Sequence, residues 1–228
     1  MDCFLVGAGA ILLSEGIYAD KKDEEEMIME VANYPPLIIV DAGHGGKDKG
    51  ASSSSGVSEA DINLVIAKYL KEELESKGMQ VVLTREDAED LASDDAPNKK
   101  REDLRNRHGI INDKQPELVV SIHLNNFIRD RSVSGVQVFY QKGSVTGENF
   151  ANAIQAKVNS SGISSRSRTA KSGDFYILET IYPSVLIECG FLSNYDDESK
   201  LQTEEHQRCI ARCVSEAIVE CLEKGSLW

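Results

Sequence analysis

Short apolar runs alternate with amphipathic stretches along the chain from Leu37 to Glu223. Continuous apolar runs such as 37–40 are typical of buried strands, and apolar residues that recur every three or four positions, as after Ser58, indicate helices. Ser58 and Asp61 together predict a capping-box start for the first helix. The pattern predicts strands at 37–40, 80–84, 118–122, 133–140, 175–178 and 184–187, with 133–140 at a sheet edge, and helices at 59–77, 101–112, 147–159 and 204–223.

This alternation also predicts the fold class. Strands that are joined by crossover helices form a largely parallel sheet with helices on both faces. We therefore expect a single α/β domain with a mixed, mainly parallel sheet, covering residues 37–224 and followed by a tail at 225–228. Segments 93–99 and 160–173 are rich in polar residues, and we expect them to be exposed loops near the binding side.

The first 36 residues have a different pattern. Residues 3–13 form an unbroken apolar run of 11 residues, which is shorter than the roughly 20 needed to span a bilayer. The run has the length of the hydrophobic part of an export signal, although no basic residue precedes it. A signal whose start lies upstream of Met1 and a short hydrophobic helix of a cytosolic protein are the two interpretations. The acidic tract at 20–34 favours export, so we expect residues 1–36 to be a signal or membrane anchor with a charged linker, and the domain to act outside the cytoplasmic membrane.

The composition of the chain excludes several classes of protein. The 228 residues are 41% hydrophobic and 28% charged, which excludes an intrinsically disordered chain and a multi-span membrane protein. The net charge of -13 should repel phosphate backbones, so nucleic acid is not an expected partner. The five cysteines form no CxxC pair. Cys209 and Cys213 are one helical turn apart and have the spacing to meet a soft metal, but packed apolar side chains are the commoner role of such cysteines.

Residues with metal-binding or acid–base chemistry follow three of the predicted strands. His44 lies in the glycine-rich turn after the first strand, His123 ends the central strand and Glu188 ends the last. The carboxyl ends of parallel strands meet at one edge of the sheet, where two imidazoles can reach one cation. Glu59, in the first turn of a helix, supplies a third ligand of the type that zinc takes.

Each of these residues has a structural interpretation when it is taken alone. A glutamate in a first helical turn usually just complements the helix dipole, and a single histidine at a strand end is usually a satisfied polar residue. The turn at 43–46 resembles a phosphate-binding turn, but the sequence carries neither a P-loop nor a dinucleotide motif. Only the coincidence of all four residues at strand or helix ends favours a metal site.

Several strings of the chain resemble the zinc-dependent N-acetylmuramoyl-L-alanine amidases of the amidase-3 type. They occur in that family's order and cover residues 37–224. The strings are IIVDAGHGGKDKGA, EADINL from Glu59, TRED from Thr84, RHGIIN from Arg107, SIHLNN, and PSVLIECGFLSN from Pro183. The departures are Asp61, where a basic residue is common, and Tyr195, where proline often stands.

The resemblance implies a site and a reaction. By position, His44, Glu59 and His123 match the ligands of one Zn²⁺ ion, and Glu188 matches the catalytic glutamate. The implied reaction is hydrolysis of the amide between N-acetylmuramic acid and L-alanine in peptidoglycan, with Glu188 as general base. Asn125 and Arg85 are candidate substrate-binding residues, and a structural role for Arg85 is an equal alternative.

The resemblance also implies a biological role. The chain is too short between 159 and 175 for the helical insertion that blocks the zinc of some family members, and it carries no wall-binding repeat. A bare catalytic domain after a hydrophobic N-terminus is similar to the spore-cortex, germination-specific branch. The expected partners are peptidoglycan, a membrane through the N-terminus, and a protein activator. The alternatives are a non-catalytic peptidoglycan-binding module, which has no need of Glu188, and a zinc carboxypeptidase or deacetylase.

Overall fold

The computed structural model of the chain describes residues 34–223. The predictions of an N-terminal signal or anchor and of a tail at 225–228 lie outside the described residues. Within them, no helix is long and apolar enough to cross a membrane. The strands are β1 (Leu37–Ala42), β2 (Gln80–Leu83), β3 (Leu118–Asn125), β4 (Gln137–Gln141), β5 (Lys171–Gly173) and β6 (Ser184–Phe191), and the helices are α1 (Glu59–Ser76), α2 (Lys99–Lys114), α3 (Val145–Ser161), a 3₁₀ helix (Tyr176–Leu178), α4 (Tyr195–Leu201) and α5 (Glu204–Glu223).

The six strands form one mixed sheet in the order β2-β1-β3-β6-β4-β5. Strands β2, β1, β3 and β6 are mutually parallel, β4 is antiparallel to β6, and β5 runs parallel to β4. β1, β3 and β6 lie side by side in the sheet, so their carboxyl ends are adjacent. This order places the ends that carry His44, His123 and Glu188 next to one another.

The core has one layer on each face of the sheet, because successive side chains of a strand point to opposite faces. Ile38, Val40, Val120 and Ile122 pack toward α1, α3 and α5 in the larger layer. The smaller layer lies toward α2 and the 3₁₀ helix and contains Ile39, Ile111, Val119, Ile177, Leu178 and Leu186. A single α/β domain with a mainly parallel sheet and helices on both faces is therefore confirmed.

Two predicted strands differ from the structure. Residues 175–178 form a 3₁₀ helix, in which the amide of Leu178 donates to the carbonyl of Phe175 at 2.9 Å. The apolar side chains of Ile177 and Leu178 suggested a strand because they are buried, but they pack against the sheet from one face. β4 lies between β6 and β5, and β5 at the end of the predicted loop 160–173 is the edge strand, so the prediction that 133–140 lies at the sheet edge is wrong.

Helix starts also differ from prediction. Ser58 is the N-cap of α1, but its side chain makes no capping hydrogen bond, and the predicted capping box is wrong. Loop carbonyls satisfy the first turn instead, since the amides of Glu59 and Ala60 donate to Ala51 and Lys49. α4 had no predicted counterpart; the Asn194 side chain caps it by accepting from two backbone amides.

Candidate active site

His44 stands in the turn that follows β1. Its backbone has a φ of 63°, in the left-handed region that few residues other than glycine adopt. The turn is closed by paired backbone hydrogen bonds of 3.0 Å between Gly45 and Asp48. This conformation directs Nε2 of the imidazole to within 3.2 Å of Glu59 Oε1, and Nδ1 to within 3.1 Å of Asp48 Oδ2.

Glu59 is the first residue of α1, and its carboxylate is held on both oxygens. Oε2 accepts the amide of Ala51 at 2.7 Å, and Oε1 accepts the amide of Leu124 at 3.0 Å. The side-chain amide of Asn63, one turn later on α1, donates to Gly43 O at 3.2 Å and to Oε1 at 3.5 Å. The side chain therefore has little freedom, and Oε1 faces the two histidines.

His123 completes the group from β3. Its Nδ1 lies 3.0 Å from the same Oε1 of Glu59, and its ring centroid is 5.0 Å from that of His44. One ligand atom from each of His44, Glu59 and His123 lies within 4.8 Å of the others. Two imidazole nitrogens and a carboxylate oxygen, brought together by three different elements, form a donor set that suits a transition-metal ion.

The electrostatics of the group favour ionised Glu59. Burial alone would raise the pKa of Glu59, but the hydrogen bonds and charges of His123 and His44 outweigh it and hold the pKa well below its usual range. Burial would lower the pKa of His44, yet its contacts with Glu59 and Asp48 raise it overall. Glu59 thus carries the negative charge that a metal ligand needs.

Glu188 lies on β6 directly opposite His123 of β3 in the strand register. Its side chain is almost fully buried, and Oε2 has no hydrogen-bond partner in the described part of the protein. Burial raises the pKa of Glu188 to about 7, and the charge of Glu59 adds to this effect, while the two histidines oppose it. A carboxyl group with this pKa can both accept and release a proton near neutral pH.

A cavity of about 300 Å³ opens beside these residues. His44, His123 and Glu188 form one side, and the opposite side comes from α2 and the 3₁₀ helix. That side includes the apolar residues Leu104, Phe175, Tyr176 and Ile177 and the charged residues Lys100, Asp103 and Arg107. His108 of α2 fixes part of it through a 2.8 Å contact between its Nε2 and the carbonyl of Tyr176.

Arg85, the other candidate for substrate binding, lies in the interior of the domain. The side chain is 3% exposed. Its guanidinium donates to the carbonyls of Ala42, Gly43, Ala60 and Asp87. All five donors of an arginine point at fixed angles, so these bonds hold the His44 turn against the start of α1. These contacts support the structural alternative for Arg85, and a contact of its side chain with substrate stays a prediction.

Asn125 ends β3, two residues after His123. Its side-chain oxygen accepts the amide of Asn126 at 2.8 Å, and its carbonyl accepts the amide of Leu192 at 2.8 Å. These bonds shape the loop beside the site, and a contact of Asn125 with substrate stays a prediction. Cys209 and Cys213 are both free thiols, Cys213 buried and Cys209 half-buried, and neither joins a metal-ligating group among residues 34–223.

Three further residues support the site, and the sequence singled out only Arg107, as a position of the family with a structural salt bridge or substrate binding as its role. Asp48, Asn63 and Arg107 each contact a residue of the His44 turn or a predicted ligand. The sequence could have predicted the contact of Asp48 with His44, because Asp48 follows His44 by four residues in a glycine-rich turn. It could also have predicted the contact of Asn63 with Glu59, since Asn63 lies one helical turn after Glu59.

Glu188 is a buried carboxylate able to transfer protons, and it lies beside three residues able to bind a metal ion. Such a combination at the carboxyl ends of parallel strands is typical of a metal-dependent hydrolase. The model of the family described as N-acetylmuramoyl-L-alanine amidase matches residues 38–220. The chain therefore belongs to the N-acetylmuramoyl-L-alanine amidase family, whose members depend on a metal, and it hydrolyses the amide between N-acetylmuramic acid and L-alanine in peptidoglycan.

Individual relatives agree with this assignment. The chain is 33% identical over 194 residues to the germination-specific N-acetylmuramoyl-L-alanine amidase of Bacillus subtilis (strain 168), which covers 83% of this chain and 81% of that protein. The structure of the CwlD amidase from Clostridioides difficile in complex with the GerS lipoprotein matches with a TM-score of 0.79 at 38% identity, over 82% of this chain and 98% of that one. An N-acetylmuramoyl-L-alanine amidase from Clostridium difficile 630 matches with a TM-score of 0.75 at 30% identity, over 84% and 98% of the two chains.

Proposed function

We propose that the protein is a zinc amidase in which His44, Glu59 and His123 hold one Zn²⁺ ion and Glu188 is the general base. The observation that carries this proposal is the contact of both imidazoles with one oxygen of Glu59, next to a carboxylate whose Oε2 has no partner. Two nitrogens and one carboxylate oxygen leave the fourth position that catalytic zinc sites keep open. When bound, zinc supplies a Lewis acid for the scissile carbonyl and lowers the pKa of water to about 7.

Residues of the chain transfer the proton, bound the substrate space and hold the metal ligand. Glu188 takes the proton of the attacking water and returns it to the leaving nitrogen, and burial, which raises the pKa of Glu188, favours the protonated form that the second transfer needs. The cavity walls from α2 and the 3₁₀ helix bound the space in which the substrate lies. Ala51 and Leu124, through their amides, keep Glu59 aimed at the ion.

The variant Glu188→Gln tests the general base. It keeps the shape of the side chain but removes its basicity, so we expect hydrolysis of purified peptidoglycan to fall by about 10²- to 10⁴-fold. Bound zinc, measured by elemental analysis, should stay at the wild-type ratio. Glu205→Gln is the matched control, because Glu205 is exposed on α5, on the other face of the sheet. A Glu188→Gln protein that hydrolyses at the wild-type rate would contradict the assignment.

The products distinguish the competing functions. An amidase frees new L-alanine amino termini, a deacetylase frees acetate, and a carboxypeptidase frees a residue from the end of the stem peptide. A binding module sediments with peptidoglycan and releases none of these. We expect L-alanine amino termini alone from the zinc-loaded protein.

We further propose that the enzyme acts outside the cytoplasmic membrane, on the spore cortex, and with a protein partner. The similarity to a germination-specific amidase supports the cortex, and the relative in complex with a lipoprotein supports a partner. Spores of the source organism that lack the protein should contain no muramic δ-lactam in their cortex. Wild-type protein should restore the lactam and Glu188→Gln should not; cortex with normal lactam in the deletion strain would contradict this role.

A further inference from the structure

Asp48 contacts the imidazole of His44 on the nitrogen that faces away from the metal site. Its Oδ2 lies 3.1 Å from His44 Nδ1, while Nε2 of the same ring lies 3.2 Å from Glu59 Oε1. The remaining interactions of Asp48 fix it in place, since Oδ1 accepts the amide of Gly50 at 3.0 Å and Oδ2 lies 3.2 Å from Lys100 Nζ on α2. Asp48 itself is not in the group whose ligand atoms lie within 4.8 Å.

The direction of the hydrogen bond follows from the chemistry of the two groups. An ionised carboxylate only accepts, so the proton of a neutral His44 is held on Nδ1 when it bonds to Asp48. The lone pair is then on Nε2, the nitrogen that faces Glu59. A metal-ligating histidine needs a bare nitrogen toward the ion, and a carboxylate on the other nitrogen fixes the ring and makes it a better ligand.

We propose that Asp48 is a positioning residue of the metal centre, which keeps His44 in the tautomer and orientation that present Nε2 to the ion. Lys100 holds Asp48 from α2. This inference rests on the proposed function, because it takes His44 as a zinc ligand.

Asp48 also has a purely structural task, because its hydrogen bond to the Gly50 amide stabilises the turn. The variant Asp48→Asn separates the two tasks. The amide oxygen of asparagine can still accept from Gly50, which leaves its NH₂ group against His44 Nδ1. A donor in that place favours the tautomer with the proton on Nε2, which blocks the ligand position.

Asp90→Asn is the matched control. Asp90 also accepts a backbone amide two residues later, that of Ala92 at 3.1 Å, and it lies against Gly46 of the same turn. No interaction between Asp90 and an imidazole occurs among the described residues. Loosening of the loops by loss of a carboxylate should therefore affect both variants, whereas loss of the correct tautomer should affect only Asp48→Asn.

The experiment measures zinc affinity by competition with a chromogenic chelator, on full-length protein. We expect Asp48→Asn to weaken zinc binding by about 10- to 100-fold, with the thermal midpoint of the metal-free protein unchanged, and Asp90→Asn to bind as the wild type does. Equal affinity of Asp48→Asn and wild type, or equal losses in both variants, would overturn the inference. A wild-type protein that binds no zinc would instead overturn the proposed function.

A second measurement needs no variant. In zinc-loaded wild-type protein labelled with ¹⁵N on histidine, the Nδ1–H of His44 should give a downfield, slowly exchanging proton resonance, because it is held by Asp48. Its assignment follows from its loss in Asp48→Asn and its persistence in Asp90→Asn. If the zinc-loaded wild type shows no such resonance and His44 carries its proton on Nε2, the inference is wrong.

Discussion

The ring of His123 packs directly on the backbone of Gly43. A Cβ atom at Gly43 would lie 2.3 Å from both Cε1 and Nε2 of that ring, a separation that no real contact allows. The φ angle of Gly43 lies outside the left-handed region, so the requirement for glycine is steric. Because Gly43 has no side chain, the ring of His123 can come close enough for both histidines to contact Glu59.

Gly43→Ala should therefore damage the metal site more than the fold. We expect zinc affinity and amidase activity to fall by at least about 10-fold, because the His123 ring must move away from Glu59. Circular dichroism of the metal-free protein should be unchanged. Gly109→Ala is the control, since Gly109 lies on the exposed side of α2 with nothing within 4 Å of a new Cβ. That change should stabilise the protein by about 0.5–1 kcal/mol, and wild-type zinc affinity in Gly43→Ala would contradict the steric account.

At the scale of elements, α2 is tied to the central strands by one buried arginine. Arg107 is 1% exposed and donates to Asp41 at the end of β1, to Asp103 one turn earlier, and to the carbonyl of His44. Asp41 also accepts the hydroxyls of Thr84 after β2 and Ser121 on β3. Four elements meet at this ion pair, so it fixes the wall of the cavity relative to the His44 turn.

This ion pair makes the stability of the domain depend on pH. Burial alone would raise the pKa of Asp41, but the charge of Arg107 and the two hydroxyl donors outweigh it and lower the pKa to about 2. In the unfolded chain the pKa of an aspartate is about 3.9. The ion pair therefore contributes its full stabilisation above about pH 3.9 and loses it as the pH falls through about 2. The difference corresponds to about 2 to 3 kcal/mol at neutral pH.

Asp41→Asn should remove this contribution and leave Arg107 buried without its main partner. We expect the free energy of unfolding of metal-free protein in urea to fall by about 3 to 5 kcal/mol near neutral pH. The gap between variant and wild type should narrow as the pH falls below about 4. Asp113→Asn, at an exposed position on α2, should differ little from wild type at any pH. A gap that is independent of pH would show that Asp41 stabilises the fold without its charge.

At the scale of the whole molecule, the proposed ligands come from separate elements that the core already holds. β1, α1 and β3 each contribute buried apolar residues to the larger core layer, independently of His44, Glu59 and His123. A domain of this size buries enough apolar surface to fold without a metal, unlike a zinc finger. The site is therefore expected to form on a scaffold that is stable without the ion.

Chelation should consequently remove activity and leave the fold. We expect metal-free protein to keep its far-UV circular dichroism and to regain amidase activity when Zn²⁺ is added. Its thermal midpoint should drop, because a ligand that binds only the folded state stabilises it by mass action. Global unfolding on mild chelation would make the metal structural, and unchanged hydrolysis after verified metal removal would exclude its catalytic role.

The sequence by itself determined the parallel centre of the sheet and which residues end its central strands, but not the edge strand β5. Apolar periodicity is a local property, and it located β1, β3, β6 and the long helices, because burial of a strand or a helix face requires it. Parallel order then placed His44, His123 and Glu188 at one edge. Local patterns were misleading for 175–178, where buried apolar residues pack on the sheet without forming a strand.

Only the tertiary structure decided how the side chains pair. His123 and Glu59 are 64 residues apart, and their shared contact depends on Gly43, on the amides of Ala51 and Leu124, and on the start of α1. The sequence does not show whether Arg85 binds substrate or backbone carbonyls, because an arginine can do either. The structure shows that its guanidinium donates to backbone carbonyls. The physical reason is that a polar side chain in the interior takes whichever partners the packing places within hydrogen-bond distance, and those partners come from distant parts of the chain.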